Sequence, residues 1–166
     1  MFVDLLTKSM LADLFQPKQA DHNESPTPND ECALLMEKLV VEKYRLMIAY
    51  ANYGDQLRHF ARDGIHEHFQ THIAEERAQA YELAKKLTAM GRDAPTNFDP
   101  IPKVDLSDPR AVFTTLHELE LAGVHLYQQL FDASKHDAAL NGLAQNGAVQ
   151  DQQHADDMAR YLRAQP

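Results

Sequence analysis

Four long runs in which apolar residues recur at alternating intervals of three and four constrain this chain most. One passes through Leu35, Leu39, Glu42, Leu46, Ala49, Tyr53 and Leu57, and a second through Phe69, Ile73, Glu76, Ala80, Leu83, Leu87 and Met90. A third passes through Phe113, Leu116, Glu120, Gly123, Tyr127 and Phe131, and a fourth through Leu140, Ala144, Gly147, Asp151, His154, Met158 and Leu162. That spacing returns to one face of an α-helix and cannot line one face of a strand. A helix apolar on one side must bury that side, and four such helices can do so against each other.

The punctuation agrees with this division. Asn29 or Asp30 is expected to cap the first helix, which runs to about Arg62, and Asp63-Gly64 reads as a tight turn. The second helix runs to Met90, with Gly91 as its C-terminal cap. Residues 92–108 carry Pro95, Pro100 and Pro102, which exclude regular helix, and are long enough to cross a bundle end to end. Asp108-Pro109 is a cap followed by a first-turn proline, and Lys135-His136-Asp137 closes the third helix and caps the fourth. Asn141-Gly142 and Asn146-Gly147 are expected to loosen the first half of the fourth helix. The expected fold is all-α: a four-helix bundle over residues 31–166, two helical hairpins joined by a long crossover, in up-down-down-up order.

Residues 1–30 stand apart. Val3, Leu6, Met10 and Leu14 predict a short amphipathic helix over 2–15, too short to be stable alone, and residues 16–30 read as a polar, proline-bearing linker. Asp4, Lys8 and Asp13 interrupt the apolar start, which is a poor signal peptide and too short to span a bilayer. A formal net charge of −9 disfavours nucleic acid and anionic membranes as partners and favours cations. Cys32 is the single cysteine, which excludes an intrachain disulfide framework and fits a reducing cytoplasm. The sequence has no glycine-rich phosphate loop, no zinc-type Cys/His array and no nucleophile elbow.

Each stripe is apolar except near its middle, where the four helices offer Glu42, Glu76, Glu120, and Asp151 with His154 three residues on. A glutamate on one stripe is ordinarily an edge residue with its carboxylate in water. Four acids at one depth are a different matter, because in a dry core they must either hold protons or collect a cation. Carboxylate oxygens with an imidazole suit iron or manganese.

On these residues the chain resembles the ferritin-like superfamily, most closely bacterioferritins and Dps-like ferritins, over about residues 31–163. LELAG at 119–123 resembles the bacterioferritin segment around a bridging Glu, and QHADDM at 153–158 resembles the family's final metal-binding segment. The resemblance implies a dinuclear site built from one Glu on each of two helices and Glu-x-x-His on each of the others. It implies Glu42 as a terminal ligand, Glu76 and Glu120 as bridges, and Asp151 with His154 as the last Glu-x-x-His. The chain departs from that pattern at three points. Gln79 stands where the family has His, Asp151 is a methylene shorter than Glu, and Ala49 lies where many ferritins keep a Tyr seven residues after the first Glu, with Tyr50 adjacent. A Gln carbonyl is a weaker ligand than imidazole, so a mononuclear centre stands beside a di-iron one.

His72 and His117 lie within a turn of Glu76 and Glu120 and read first as solvated histidines, as do His59, His66, His68, His125 and His136. The intersubunit site of Dps proteins is not expected, since its acid positions fall near Tyr81 and Lys85. The implied function is an iron-binding protein that oxidises Fe(II) with O₂ or peroxide inside the bundle and stores or detoxifies the iron, as a symmetric homo-oligomer. The alternative is a bundle that kept the fold, lost the site and serves as a structural or interaction module. Residues 1–15 are expected to dock on the protein's own oligomer or on a partner.

Overall fold

The computed structural model describes residues 27–57 and 63–164. They form α1 (Pro28–Leu57), α2 (Asp63–Ala89), α3 (Pro109–Ala133) and α4 (Ala138–Ala164), with no strand among the described residues. The amphipathic helix expected over 2–15 and most of the linker lie outside the described residues.

Three of the helix ends follow the sequence signals. Asp108 accepts a hydrogen bond from the Arg110 amide at 2.9 Å ahead of Pro109, and Asp137 accepts from the Ala139 and Leu140 amides, each at 3.0 Å. Past α2, Gly91 takes a φ of 74°, and the Arg92 amide donates back to the Leu87 carbonyl at 3.0 Å. The start of α1 differs from expectation. Thr27 is its cap: its hydroxyl accepts from the Asp30 amide at 3.2 Å, while the Asp30 carboxylate accepts from the Thr27 amide at 3.1 Å. Asp30 is therefore the reciprocal partner in a capping box, with Pro28 in the first helical position. Asp63 and Gly64 open α2 rather than forming a turn before it.

Pairings across the bundle fix its topology. Lys43 meets Glu76 and Tyr50 meets Phe69, so numbers fall along α2 as they rise along α1. Tyr50 reaches Glu120 and Lys43 lies over the Tyr127 ring, which sets α1 antiparallel to α3 as well. Phe113 stacks on Tyr161, and Gly147 abuts Tyr127, so α3 and α4 are antiparallel. The order is up-down-down-up, with the crossover running the length of the bundle. Ile101, Val104 and Leu106 pack that crossover onto the core, and Tyr53 donates to the Pro102 carbonyl at 2.6 Å.

The core has two apolar halves. One is built around Met36, Leu39, Leu83, Leu87, Leu130 and Leu140, and the other around Leu46, Tyr53, Phe69, Phe113, Leu116 and Met158. Burying each such side chain is worth about 1.5–3 kcal/mol. Lys43, Glu76, Glu120, Asp151 and His154 lie buried between the two halves. No described helix is long and apolar enough to cross a membrane.

The fourth helix is continuous through Gly142 and Gly147, contrary to the loosening expected there. Gly147 has a packing reason: a Cβ on it would sit 2.3 Å from Cζ of Tyr127, whereas a Cβ on Gly142 would meet nothing within 4 Å. The two glycines should respond oppositely to alanine. In thermal or urea denaturation, Gly142→Ala is expected to stabilise by about 0.5–1 kcal/mol through helix propensity. Gly147→Ala is expected to destabilise by about 1–3 kcal/mol through overpacking against the tyrosine ring.

Candidate metal centre

The same three-to-four spacing that buries the apolar stripes also carries polar residues into the centre. From α2, α3 and α4 these are Glu76, Glu120, Asp151 and His154, all buried, and one ligand atom from each lies within 4.8 Å of the others. Atoms bound to one ion at about 2.1 Å stand roughly 3 Å apart when adjacent and 4 Å when opposite, so the four are close to a coordinating arrangement. Nδ1 of His154 is 3.0 Å from Glu76 Oε1 and 3.3 Å from Glu120 Oε1, and its Nε2 is 2.9 Å from Glu75 Oε2. The Tyr50 hydroxyl donates to Glu120 Oε1 at 2.6 Å, while Glu120 Oε2 is buried without a hydrogen-bond partner.

From α1 the centre receives a cation. Lys43 is fully buried, and its ammonium lies 2.5 Å from Asp151 Oδ2 and 3.0 Å from Glu76 Oε2. The second contact is an ion pair without hydrogen-bond angles. Room for it comes from α3: a Cβ on Gly123 would fall 2.2 Å from Asp151 Oδ2 and 3.4 Å from Lys43 Nζ. Gln79 completes the arrangement. Its amide nitrogen donates to Asp151 Oδ1 at 3.2 Å, and its carbonyl accepts from the Tyr127 hydroxyl at 2.6 Å. The carbonyl oxygen through which Gln79 would bind a metal is thus engaged by Tyr127.

The structure therefore gathers Glu76, Glu120, Asp151 and His154, holds Gln79 at their edge, and does not bring Glu42 to them. Glu42 is buried as well, at 6% exposure, but apart from the cluster: its Oε2 accepts from Arg45 at 2.6 Å and its Oε1 has no hydrogen-bond partner. It belongs to none of the potential ligand groups among the described residues. The inward position is one residue later. Lys43 occupies that position, and Tyr50, seven residues further on, reaches the same centre at Glu120. Lys43 is the residue that sequence reasoning missed. The signal was present: Leu39, Val40, Leu46 and Tyr50 flank it at −4, −3, +3 and +7. His72 is also not solvated; it is buried, stacked on Tyr50 and edge-on to His154.

Electrostatics follow from this packing. Burial alone would pull the Lys43 ammonium down, but Glu76 and Asp151 outweigh it and hold the group charged, above its ordinary pKa. Burial opposes the charge on His154 too, yet hydrogen bonds to Glu120 and Glu76 raise it to about 10. Burial and then the Glu76 charge push Glu120 up to about 7, and burial pushes Asp151 up to about 6 against the pull of Lys43. Burial would raise Glu76 as well, but Lys43 and then His154 bring it below its usual range. His72, with no hydrogen-bond partner, is driven by burial down to about 2 and stays neutral. Burial raises the Cys32 thiol, which leaves it unreactive.

These geometries agree with comparisons to known proteins. The family model for the ferritin-like domain matches residues 33–165. The chain belongs to the ferritin-like domain family. A "ferritin like, diiron-carboxylate" protein structure from Bacillus anthracis str. Ames superposes on this ferritin-like chain with a TM-score of 0.78 at 16% identity, over 83% of this chain and 99% of that one. A conserved hypothetical protein from Mycobacterium tuberculosis superposes with a TM-score of 0.72 at 13% identity, over 84% and 96% of the two chains. No curated protein sequence matches. Identities this low establish the ferritin-like fold, and the carboxylate and histidine groups add that the bundle has the residues to hold a metal ion.

Two outcomes follow for the metal-free protein. Lys43→Met strands Glu76 and Asp151 without their cation and should cost about 3–5 kcal/mol in urea denaturation. The His154 pKa is raised on folding, from 6.5 to about 10. Its contribution to stability is fully present below pH 6.5 and is lost as pH rises through about 10. The melting temperature should fall from pH 7 to 10, and His154→Gln should flatten that slope.

Proposed function

We propose that this ferritin-like protein captures a single Fe(II) ion per bundle core and oxidises it to Fe(III), the one electron passing to O₂ or peroxide supplied from solution. Glu76, Glu120, Asp151 and His154 would be the ligands, and the Lys43 ammonium would stand in place of a second cation. The observation that carries metal capture is the gathering of Glu76, Glu120, Asp151 and His154, with a ligand atom from each within 4.8 Å of the others, and the position of Lys43 between Glu76 and Asp151 limits the count to one ion. Three carboxylates and one imidazole form a hard-oxygen donor set suited to Fe(II) or Mn(II), and three anionic oxygens favour Fe(III) over Fe(II) after oxidation. The buried, unpartnered Glu120 Oε2 supplies a free lone pair. A two-ion centre does not fit, because placing a second ion against Glu76 and Asp151 would require evicting a buried ammonium. One ion yields one electron per turnover, so this chemistry differs from that of a coupled pair.

Residues of the chain have definite parts in this scheme. His154 must surrender its Nδ1 proton to bind, and Glu75 can retain the proton at Nε2, fixing the ring. Tyr50 orients Glu120, and Gln79 orients Asp151, as second partners of metal-binding carboxylates do. The test is a difference in metal content. Lys43→Glu combined with Gln79→His removes the ammonium, supplies two further ligands and should bind one more Fe(II) per chain than the natural protein, measured anaerobically. Glu120→Ala and His154→Ala should each bind one fewer and lose the absorbance rise on adding O₂ or peroxide. Unchanged iron content and oxidation in the two alanine variants would rule the reading out.

A second reading has one observation in its favour. Lys43 and a protonated His154 place two positive charges among three acids, one of which, Glu120, is raised to about 7. A core so neutralised can stand without metal, as a structural bundle. Absence of any core ion after anaerobic Fe(II) or Mn(II) loading would select it.

A further inference from the structure

Outside the core cluster, His68 and His72 stand four apart on α2, one turn of the same face. Asp157 on α4 faces both: its Oδ2 is 2.8 Å from His68 Nε2 and 3.9 Å from His72 Nε2. The two imidazole rings lie 4.4 Å apart between centroids, and one ligand atom from each of the three residues falls within 4.8 Å of the others.

Three features make this more than a polar patch. His72 is 2% exposed, and neither of its ring nitrogens has a hydrogen-bond partner, an unfavourable state for a buried imidazole unless something else uses the lone pair. His68 has its other nitrogen fixed: Nδ1 is 2.7 Å from the Tyr161 hydroxyl, leaving Nε2 turned towards Asp157. A ligating histidine commonly has its second nitrogen anchored in this way. Asp157 divides its two oxygens, Oδ1 pairing with Arg160 and Oδ2 facing the histidines.

We propose that His68, His72 and Asp157 form a second cation site, separate from the core cluster, that takes a divalent ion of the zinc, cobalt or iron(II) type through two imidazole nitrogens and one carboxylate oxygen. His68 is 29% and Asp157 19% exposed, so water can complete the coordination from outside. His72 separates this site from the core: its Nε2 faces Asp157, while its Nδ1 is 3.7 Å from Glu75, which also contacts His154. Potential ligand groups therefore overlap in a file from the rim to the centre, sharing His72 and then His154. Arg160 is a nearby positive charge that weakens the attraction, but it is 66% exposed and free to turn into solvent.

Co(II) added to the metal-free full-length protein is the probe. Crystals soaked in Co(II) should show an anomalous-scattering peak bounded by His68 Nε2, His72 Nε2 and Asp157 Oδ2. In solution, His68→Ala and Asp157→Asn should each bind one Co(II) fewer than the natural protein. Glu120→Gln should keep the outer ion, which separates this site from the fate of the core reading. Tyr161→Phe should keep the site but weaken it about tenfold or more. Cobalt content unchanged in both outer variants, or density absent from the three side chains, overturns the proposal.

Discussion

A buried ammonium holds the centre of this bundle together. Carboxylates from α2, α3 and α4 converge at one depth, and like charges in a low-dielectric interior cannot all ionise without compensation. Lys43 supplies a covalently tethered positive charge against Glu76 and Asp151. Its presence explains neighbours that are otherwise arbitrary. Gly123 is small because any side chain would strike Asp151 and crowd Lys43, and Gln79 is an amide because it must donate to Asp151 while accepting from Tyr127. Tyr127 in turn needs Gly147 to lie flat against α4. One charged side chain on α1 thus shapes its surroundings on the other three helices.

The fold was legible because its signals are local and redundant. Spacing, caps at Asp108 and Asp137, the Gly91 terminus and the prolines of the crossover each point to the same bundle, and each rests on backbone geometry that a few residues decide. The acids of α2, α3 and α4 were legible for a related reason: a carboxylate inside an apolar stripe is conspicuous. The inward register of α1 was not. That helix buries a broad face, on which Leu35, Met36, Leu39, Val40, Lys43, Leu46, Ala49 and Tyr50 are all enclosed. Glu42 and Lys43 both fit a three-to-four stripe, and a search for acids selects Glu42. Both are buried, and only the tertiary pairing shows Glu42 held by Arg45 and Lys43 at the centre. The meaning of Gly123 and Gly147 was hidden likewise, because close approach between helices leaves no local trace.

The histidines illustrate the same boundary between local and tertiary information. Nothing in HEHFQTH distinguishes a solvated cluster from ligands, since i and i+4 spacing serves either. The structure separates them by burial and partners, enclosing His72 without a hydrogen bond and turning His68 towards α4. Together with Glu75 and His154 they extend the polar core towards the rim. That path runs alongside the second apolar half, where His72 stacks on Tyr50 and His68 meets Tyr161.

The central claim is that an amine, rather than a second metal ion, faces Glu76 and Asp151. An anomalous-difference map from crystals soaked in Mn(II) tests it directly, because ion number, ligands and the lysine side chain are seen together. The account requires one core peak, bounded by Glu76, Glu120, Asp151 and His154, with Lys43 still against Glu76 and Asp151. Two core peaks with Lys43 displaced would contradict it.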